Sequence, residues 1–587
     1  MIGALVDYSS TMNRCRAVIF YFVALSSCVA ESREIFVAKY GADTSSGDAE
    51  SPFLTIQRAA DVAHPGDTIT VRAGVYRERI DPPRGGASEA QRIVYRAEPG
   101  ADVRIVGSER AADWERDGDH WRAVLPRSFF GSLNPFATLV RHPKFVKGDN
   151  DDGWGWLRYG RWAHLGDVYI NGEGLTEQET DAGLASPLTW RATVDEEGAT
   201  TITANFGDKD PNAECVEVNV RPTAFYPSKP GLSFITLQGF TIMHVACHWA
   251  PPIEEQVAAV GPNGGHHWII EDNTILYAKG VGISLGVPSG PADHESSGHH
   301  IVRSNMIMRC GQAGIVGHGW SSRSTISRNS IEEINYRREF GGAETGGIKF
   351  HHAHDTIIEN NLIRKICTLD PQTSNGDGIW LDAGNYENVV RNNVILEVEG
   401  NAILMEANWV GANYIENNVV IGSRLATYSA CDTVWRYNLF VDAPGVWVNQ
   451  DDLGRPPVGG AVWYKNIFIR RGVAEGPDST HENLYLGGAQ PRDDEPNAVV
   501  MLADPHFMID LDDEQVTVSF DIDPASFHEL RGKAGEGIDF YGNQRGSDDF
   551  VYGPFANVVP GRNVMHVFRY SDRHALVRKV LLRATDE

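Results

Sequence analysis

The sequence predicts an all-β protein, a right-handed parallel β-helix that carries an inserted β-sandwich-like domain. Three observations predict this fold: a short phrase recurs every 20 to 32 residues, its side chains alternate between apolar and polar, and each copy ends in asparagine. Alternation with a period of two is typical of half-buried strands. A repeat of this length is one coil of a solenoid, which buries its apolar face by stacking on its neighbours.

The recurring asparagine is expected to form a ladder of stacked amides inside the helix. Amides at one position of successive coils can hydrogen-bond to each other and to the backbone of a tight bend. The phrase appears as Trp268–Asn273 and again as Ile301–Asn305. The predicted ladder residues are Asn273, Asn305, Asn329, Asn361, Asn393, Asn418, Asn438 and Asn466.

Residues 31–110 are predicted to begin the β-helix. Ile35–Ala38 is expected to be a strand, Thr55–Ala63 a short amphipathic helix, and Thr68–Arg72 a strand that follows a turn. A helix across one end of the solenoid would cover strand edges that otherwise promote aggregation.

Residues 111–222 lack the asparagine phrase, are rich in tryptophan and contain alternating strands, which predicts the inserted β-sandwich-like domain. Its cluster Trp154, Trp156 and Trp162 fits either a sandwich core or the wall of a binding subsite. Because the phrase then resumes, residues 223–560 are predicted to form the main β-helix with the active site. Residues 561–587 are expected to be a polar or basic C-terminal tail.

The first 30 residues are predicted to be an export signal. Arg14 and Arg16 precede the apolar run Ala17–Leu25, which is too short to span a bilayer. Cleavage after Ala30 and a lipoprotein box ending at Cys28 both fit, and a buried N-terminal helix is the alternative. We therefore expect an exported protein, whether periplasmic, extracellular or lipoprotein-anchored. No other stretch is apolar enough for an integral membrane span.

The formal net charge of −26 excludes a nucleic-acid partner, because phosphate binding needs basic clusters and none is present. A neutral oligosaccharide or polysaccharide fits this charge better. The five cysteines beyond the signal are scattered, so neither a disulfide framework nor a zinc motif is expected. Buried thiols are the expected state.

Four strands of the main helix open with glycine or alanine and can be superposed: Gly314–His318, Gly347–His351, Gly378–Asp382 and Ala402–Glu406. Side chains alternate across a strand, so the second position is expected to point inward. These inward residues are Ile315, Ile348, Ile379 and Ile403. The third and fifth positions are expected to face solvent: Val316, Lys349, Trp380 and Leu404, and then His318, His351, Asp382 and Glu406.

The last two members of this column, Asp382 and Glu406, form a candidate catalytic pair. Neighbouring strands lie about 4.8 Å apart, so the two carboxyl groups are predicted to lie about 5 Å apart. That separation is typical of retaining glycosidases, whereas inverting enzymes hold theirs about 6.5–9.5 Å apart. Coupling would raise one pKa and leave one acid and one base. The alternative is a chance pair of carboxylates on a solvated face.

Family-level motifs support this interpretation. Pro52–Ala60, Pro65–Asp67 and Gly74–Glu78 resemble the leading segment of many pectin-lyase-like β-helix proteins that act on polysaccharides. The β-helix, the insertion and the paired strands ending in Asp382 and Glu406 are together similar to glycoside hydrolase family 120, whose founding activity is β-xylosidase. The similarity extends from about Glu34 to Asn557.

The resemblance implies that Asp382 is the nucleophile and Glu406 the general acid/base. It also implies substrate binding by a surrounding group of residues: His318, Glu344, Lys349, His351, His352 and Trp380. Trp380 is expected to stack on a sugar face, with support of the strand as the alternative. The segment Ala407–Gly411 departs from the family pattern at the leaving-group subsite. A homo-oligomer is a further implication.

Two other classes of function remain open at this stage. A polysaccharide lyase on the same fold would use Lys349 or a histidine as base and bound Ca²⁺ to neutralise a uronate. A non-catalytic carbohydrate-binding solenoid would tolerate loss of both carboxylates. His351 and His352 are adjacent on a strand and should face opposite ways, so no metal site is predicted. No cofactor is required, and a structural Ca²⁺ stays compatible with the sequence.

Overall fold

The computed structural model describes most of the chain in several segments. These are residues 32–140, 163–251, 256–286, 297–340, 344–369, 376–443, 446–449, 459–472, 479–531, 537–546 and 549–578. The predicted export signal and the cluster Trp154, Trp156 and Trp162 lie outside the described residues. Within them, no helix has the length and apolar character needed to cross a membrane.

Three parallel sheets, here called A, B and C, form the β-helix, and sheet C is shorter than the other two, with seven described strands against thirteen in each of A and B. The described strands of sheet A are Glu34–Val37, Thr68–Val71, Ile93–Ala97, Ile235–Gln238, Ile269–Glu271, Ile301–Arg303, Thr325–Ser327, Ile357–Glu359, Val389–Arg391, Tyr414–Glu416, Val434–Arg436, Val462–Tyr464 and Ser479–His481. Those of sheet B are Gly74–Tyr76, Val103–Val106, Thr241–Val245, Thr274–Ala278, Met306–Met308, Ser330–Ile334, Leu362–Ile366, Val394–Val398, Val419–Ile421, Leu439–Val441, Ile467–Ile469, Leu484–Leu486 and Val499–Met501. Those of sheet C are Val281–Ser284, Ala313–Gly317, Gly346–His351, Asp377–Asp382, Asn401–Glu406, Arg424–Tyr428 and Val446–Asn449.

The central coils contribute one strand to each sheet in turn, and the other described coils contribute strands to sheets A and B, which confirms the parallel β-helix. The core is a continuous column of apolar side chains inside the three sheets. Ile315 pairs with Ile348, Ile348 with Ile379, and Ile379 with Ile403, and all four side chains are fully buried. The predicted inward column is therefore confirmed.

The asparagine ladder is also confirmed, at the corner where sheet A turns into sheet B. Each amide nitrogen donates to the amide oxygen of the next asparagine at 2.9–3.1 Å, from Asn273 through Asn466. Asn483 extends the ladder by one further step. The residue before each asparagine has a positive φ, as at Asn360 with 56°, and that bend brings the amides into line.

The N-terminal end contains a short helix, as predicted. Helix Ile56–Val62 is capped by Thr55, whose hydroxyl accepts from the Arg58 amide at 3.2 Å. Its buried face, which includes Ile56, joins the core of the first coils. The helix therefore lies against the end of the solenoid and covers apolar surface there. Short 3-10 turns elsewhere are Glu89–Gln91, Arg127–Phe130, Pro135–Ala137, Asp181–Ala185, Gly319–Ser321 and Phe527–Leu530.

The insertion consists of two sheets around its own apolar core, which includes Trp114 and Trp190. The first sheet contains Ser108–Arg110, Val168–Ile170, Glu173–Gly174 and Val216–Asn219. The second contains Glu115–Asp117, His120–Leu125, Thr176–Glu177, Thr189–Val194 and Thr200–Asn205. Buried ion pairs join the insertion to the β-helix, since Asp167 contacts Lys279 at 3.0 Å and Arg337 at 2.7 Å.

The C-terminal region differs from the expected tail. After the last β-helix strand, Met508–Leu511, Gln515–Ile522 and Gly561–Arg569 form an antiparallel sheet, and residues 572–578 are helical. Arg578 is buried and pairs with the buried Glu332 of the β-helix, which also accepts from the Tyr570 hydroxyl at 2.9 Å. Residues 561–587 were predicted to be a polar or basic tail, but the buried carboxylate partner of Arg578 lies 246 residues away in sequence.

Removal of one ladder amide should destabilise the protein strongly. Asn361→Ala would remove the oxygen that accepts from the Asn329 backbone amide and from its side-chain amide, and the nitrogen that donates to the Ile326 carbonyl. Each unsatisfied buried group costs about 1–3 kcal/mol, so we expect a loss of about 3 kcal/mol or more in denaturant unfolding. The control is Asn557→Ala, at an exposed asparagine. Equal stability of the two variants would contradict a stabilising ladder.

Candidate active site

The predicted site residues meet where the strands of sheet C end. His351 pairs in register with Asp382, and Asp382 pairs in register with Glu406, on three successive coils. The column continues to Tyr428, which pairs with Glu406 and which sequence analysis missed. The sequence does show a tyrosine at the end of the next strand of sheet C. That strand begins with Arg424 rather than with glycine or alanine, so it was not aligned with the other coils.

The side chains at the third position of the aligned strands point away from the core but do not face solvent, which corrects the sequence-based expectation. Val316, Lys349, Trp380 and Leu404 expose at most 5% of their surface. Trp380 and Leu404 pack with Ala426 in a small apolar cluster outside the coil. Alternation along a strand fixes which face a side chain occupies, but it says nothing about what covers that face.

Trp380 is therefore not placed to stack on a sugar. Its ring is 2% exposed, and the Lys349 ammonium lies 3.0 Å from its centroid. Its indole nitrogen donates to Glu406 Oε2 at 3.0 Å. The structure thus gives Trp380 the alternative role, which is to support the strand and to orient Glu406.

Glu406 has the properties of an acid that is still protonated near neutral pH. Burial and, after it, the negative charge of Asp382 raise the pKa of Glu406 to about 7. Asp377 adds to the rise, whereas Lys349 and the indole of Trp380 oppose it. A carboxyl group whose pKa is raised toward neutrality is suited to act as a general acid.

A buried ammonium lies between two carboxylates beside this pair. Lys349 forms an ion pair with Glu344, and its Nζ lies 3.3 Å from Asp382 Oδ2. His351 Nε2 lies 3.3 Å from Glu344 Oε2 and 3.8 Å from Asp382 Oδ2. Burial alone would raise the pKa of Glu344, but Lys349 and His351 outweigh it and lower that pKa. Glu344 also has a φ of 72°, a conformation that is uncommon for a side chain outside turns.

Glu344, His351 and Asp382 place three atoms of metal-ligand type within 4.8 Å of one another. The Lys349 ammonium contacts both carboxylates of this group. A divalent cation would have to share the space with that ammonium, so we interpret the group as an ion-pair cluster around Lys349.

His318 and His352 lie beside His351. The His318 ring is stacked near that of His351 at 6.5 Å and is edge-on to that of His352 at 5.1 Å. Burial, then the neighbouring histidines, lower the pKa of His318 to about 4, and burial and His351 lower that of His352. His352 is exposed and has a φ of 51°, so strict alternation ends before it. Adjacent histidines were expected to face opposite ways, but this bend brings His352 to the same rim.

Asp377 is a further acidic residue of the site that sequence analysis missed. Its Oδ1 accepts from the Asn401 backbone amide at 2.6 Å and from the Asn401 side chain at 2.8 Å. The bonds join the start of the strand that ends in Asp382 to the start of the strand that ends in Glu406. Asp377 is fully buried, and burial raises its pKa to about 6. Its Oδ2 has no hydrogen-bond partner among the described residues.

An apolar rim follows Glu406 directly. Trp409 and Val410 are 45% and 56% exposed, which is unusual for such large apolar side chains. The loop lies against the turn after Asp382, because a side chain at Gly384 would approach Val410 to 3.8 Å. The segment that departs from the family pattern therefore borders the candidate pair Asp382 and Glu406.

Comparisons with known proteins agree with this architecture. Residues 111–189 match the family model of the glycoside hydrolase 120 insertion domain, and residues 258–441 match that of the right-handed beta helix region. XylC, solved in complex with xylose, is 29% identical with a TM-score of 0.76, over 91% of this chain and 100% of that chain. This chain is a glycoside hydrolase, and it is similar to family 120 in its insertion and over most of its length.

More distant structures share less with this glycoside hydrolase. The lacto-N-biosidase of family 136 from Eubacterium ramulus has a TM-score of 0.41 and 12% identity over 80% of this chain and 67% of that chain. A rhamnogalacturonan lyase has a TM-score of 0.35 and 11% identity over 74% and 82%. No curated protein matches the sequence.

Neutralisation of Asp377 in this hydrolase should shift its pH dependence. Asp377→Asn keeps an oxygen that can accept from Asn401 but removes a negative charge that raises the pKa of Glu406. Wild-type kcat/KM should fall as the pH rises through about 7, because Glu406 then loses its proton. In the variant this alkaline limb should move to lower pH by about one unit.

The pH profile of kcat/KM on an aryl glycoside measures this shift. Asp355→Asn is the control, since Asp355 is 56% exposed and its ion-pair partner is His354 rather than Asp382 or Glu406. An unmoved alkaline limb in Asp377→Asn would show that Asp377 does not act on Glu406 electrostatically.

Proposed function

We propose that this glycoside hydrolase is a retaining, β-xylosidase-like enzyme that cleaves plant- or algal-type oligosaccharides by double displacement. One observation carries the proposal: Asp382 and Glu406 are paired in register on adjacent strands, and the pKa of Glu406 is raised to about 7. One strand spacing of about 4.8 Å corresponds to the carboxyl separation of retaining rather than inverting enzymes.

In the first step, Asp382 attacks the anomeric carbon and the bond from that carbon to the leaving oxygen breaks. Glu406 transfers its proton to the leaving oxygen, so the leaving group departs as a neutral alcohol. The product is a glycosyl ester on Asp382. Lys349, 3.3 Å from Asp382 Oδ2, and the indole of Trp380, bonded to Glu406, hold the two carboxyl groups in place.

In the second step, the Glu406 carboxylate removes a proton from water and the water oxygen attacks the anomeric carbon. The ester bond to Asp382 breaks, which restores the Asp382 carboxylate and the protonated Glu406. Two inversions at one carbon give net retention. His318 and His352 line the same rim, and we propose that they bind sugar hydroxyls. His351 is 2% exposed, and we propose that it orients Glu344 and Asp382 instead.

The proposed sugar is xylose. The support is the similarity to XylC over most of both chains, since that structure was solved with xylose. The exposed ring of Trp409 is the proposed contact for the leaving group, because sugar C–H faces pack on aromatic rings and Trp409 follows Glu406 by three residues. The buried Trp380 cannot take this role.

Several accompanying features remain part of the proposal. The enzyme is exported, it needs no cofactor for the two carboxyl groups to act, and it assembles as a homo-oligomer. A structural Ca²⁺ is compatible with this chemistry.

Replacement of the pair tests the mechanism. Asp382→Asn and Glu406→Gln should each lower kcat on an aryl β-xyloside by about 10³-fold or more, since each removes a covalent or proton-transfer step. Proton NMR of the first product formed by the wild type should show the β-anomer. Glu397→Gln, at an exposed carboxylate of sheet B, is the control and should be fully active.

The other classes of function make opposite predictions. Release of an unsaturated sugar from a uronate polymer, with no aryl glycoside cleaved, would replace the hydrolase mechanism by a lyase. A first product of inverted configuration would refute retention.

Trp409→Ala tests the leaving-group contact. We expect kcat/KM for xylobiose to fall about tenfold, which corresponds to about 1.4 kcal/mol of lost stacking in the transition state. Hydrolysis of xylosyl fluoride should change little, because a fluoride leaving group cannot reach an aromatic platform. Equal losses on both substrates would mean that Trp409 supports the loop rather than the leaving sugar.

A further inference from the structure

A cavity whose lining residues include neither Asp382 nor Glu406 lies between the β-helix and the C-terminal antiparallel sheet. Its volume is about 890 Å³, within the range of about 300–1,000 Å³ that small-molecule sites occupy. One wall is the corner where sheet A turns into sheet B, including Arg328 and Asn392. The catalytic pair precedes the strands of sheet A, whereas this corner follows them. The two sites are therefore at opposite ends of those strands.

The charge of this groove is opposite to that of the whole chain. Three arginines, Arg328, Arg391 and Arg569, line it with the single carboxylate Glu359, whereas the chain has a net charge of −26. Arg391 pairs with Glu359 at 2.8 Å. Arg328 and Arg569 are exposed, and the described residues place no carboxylate within ion-pair distance of either one. A groove with two uncompensated guanidinium groups favours an anionic ligand.

The groove also contains buried polar atoms that lack a partner. Asn392 is 5% exposed and its Oδ1 has no hydrogen-bond partner among the described residues, and the same holds for Nε2 of His574, which is 3% exposed. Both residues line the groove. Buried polar groups are normally satisfied, so each of these two atoms is available to bond to water or to a ligand hydroxyl.

The opposite wall offers an aromatic face. Tyr541 is 46% exposed and lines the groove beside Phe540. An exposed ring next to planar amide and guanidinium groups is suited to a pyranose, whose C–H face packs on the ring while its hydroxyls bond to the polar groups.

We propose that this groove is a non-catalytic binding site for an acidic oligosaccharide, one that carries a hexuronic acid. Its carboxylate binds Arg328 and Arg569, a hydroxyl donates to Asn392, and a sugar ring packs on Tyr541. The groove shares no residue with the catalytic pair, so the inference is independent of the proposed mechanism. Binding here would retain the enzyme on a charged polysaccharide whose neutral branches it cleaves.

Calorimetric titration of the full chain tests the site. The protein is the Asp382→Asn variant, so that the sugars are not turned over. The probes are a xylo-oligosaccharide that bears one glucuronic acid and the unsubstituted oligosaccharide of the same length. The acidic probe should bind at an additional site, and Arg328→Gln should weaken that binding about tenfold or more. Arg303→Gln is the matched control, because Arg303 ends an equivalent strand, pairs with Glu271 and does not line the groove.

The outcomes separate this site from the catalytic proposal. Arg328→Gln in the chain with Asp382 intact should hydrolyse an aryl β-xyloside like the wild type, which supports a remote site. The proposal is overturned if both probes bind alike, if Arg328→Gln binds the acidic probe unchanged, or if inorganic phosphate binds as tightly as the acidic sugar. Persistent groove binding in a protein that cleaves no glycoside would support the site and reject only the proposed function.

Discussion

Every feature of this molecule depends on the in-register stacking of its coils. Parallel pairing at one strand spacing places equivalent residues of successive coils opposite each other, and the buried asparagine ladder keeps that register at the A–B corner. A slip of one residue would move the apolar column to the surface and separate Asp382 from Glu406. The same constraint therefore maintains the core and brings together two carboxyl groups that are 24 residues apart in sequence.

The face that carries Asp382 and Glu406 adds an electrostatic constraint to this register. Two like charges on adjacent strands repel, and burial penalises both. The site accommodates them with the buried Lys349, which contacts Glu344 and Asp382, and with a Glu406 whose pKa is raised to about 7. One carboxyl group is therefore ion-paired and the other is adapted to hold a proton. Asp377 further raises the pKa of Glu406, and its hydrogen bonds to Asn401 join the starts of the two strands.

Buried ion pairs also attach the two regions that are not part of the solenoid. Asp167 of the insertion contacts Lys279 and Arg337, and Arg578 of the C-terminal helix contacts Glu332. Such pairs add little net stability but are costly to break singly, so they specify how the parts dock. Docking of the C-terminal sheet also creates the cationic groove, because Arg569 of that sheet and Arg328 of the β-helix corner line the same cavity.

The sequence by itself determined the β-helix, the ladder and the adjacency of Asp382 and Glu406, because these follow from a local period that repeats along the chain. Only the tertiary structure decided what covers each face. Trp380 and Lys349 were assigned to solvent by alternation, yet packing outside the coil buries both. Asp377 and Tyr428 were missed because Asp377 precedes the aligned glycine-led strands and Tyr428 follows them. The C-terminal residues were assigned to a tail because their partner Glu332 is distant in sequence. Burial and ion pairing depend on contacts between remote segments, which a local period does not record.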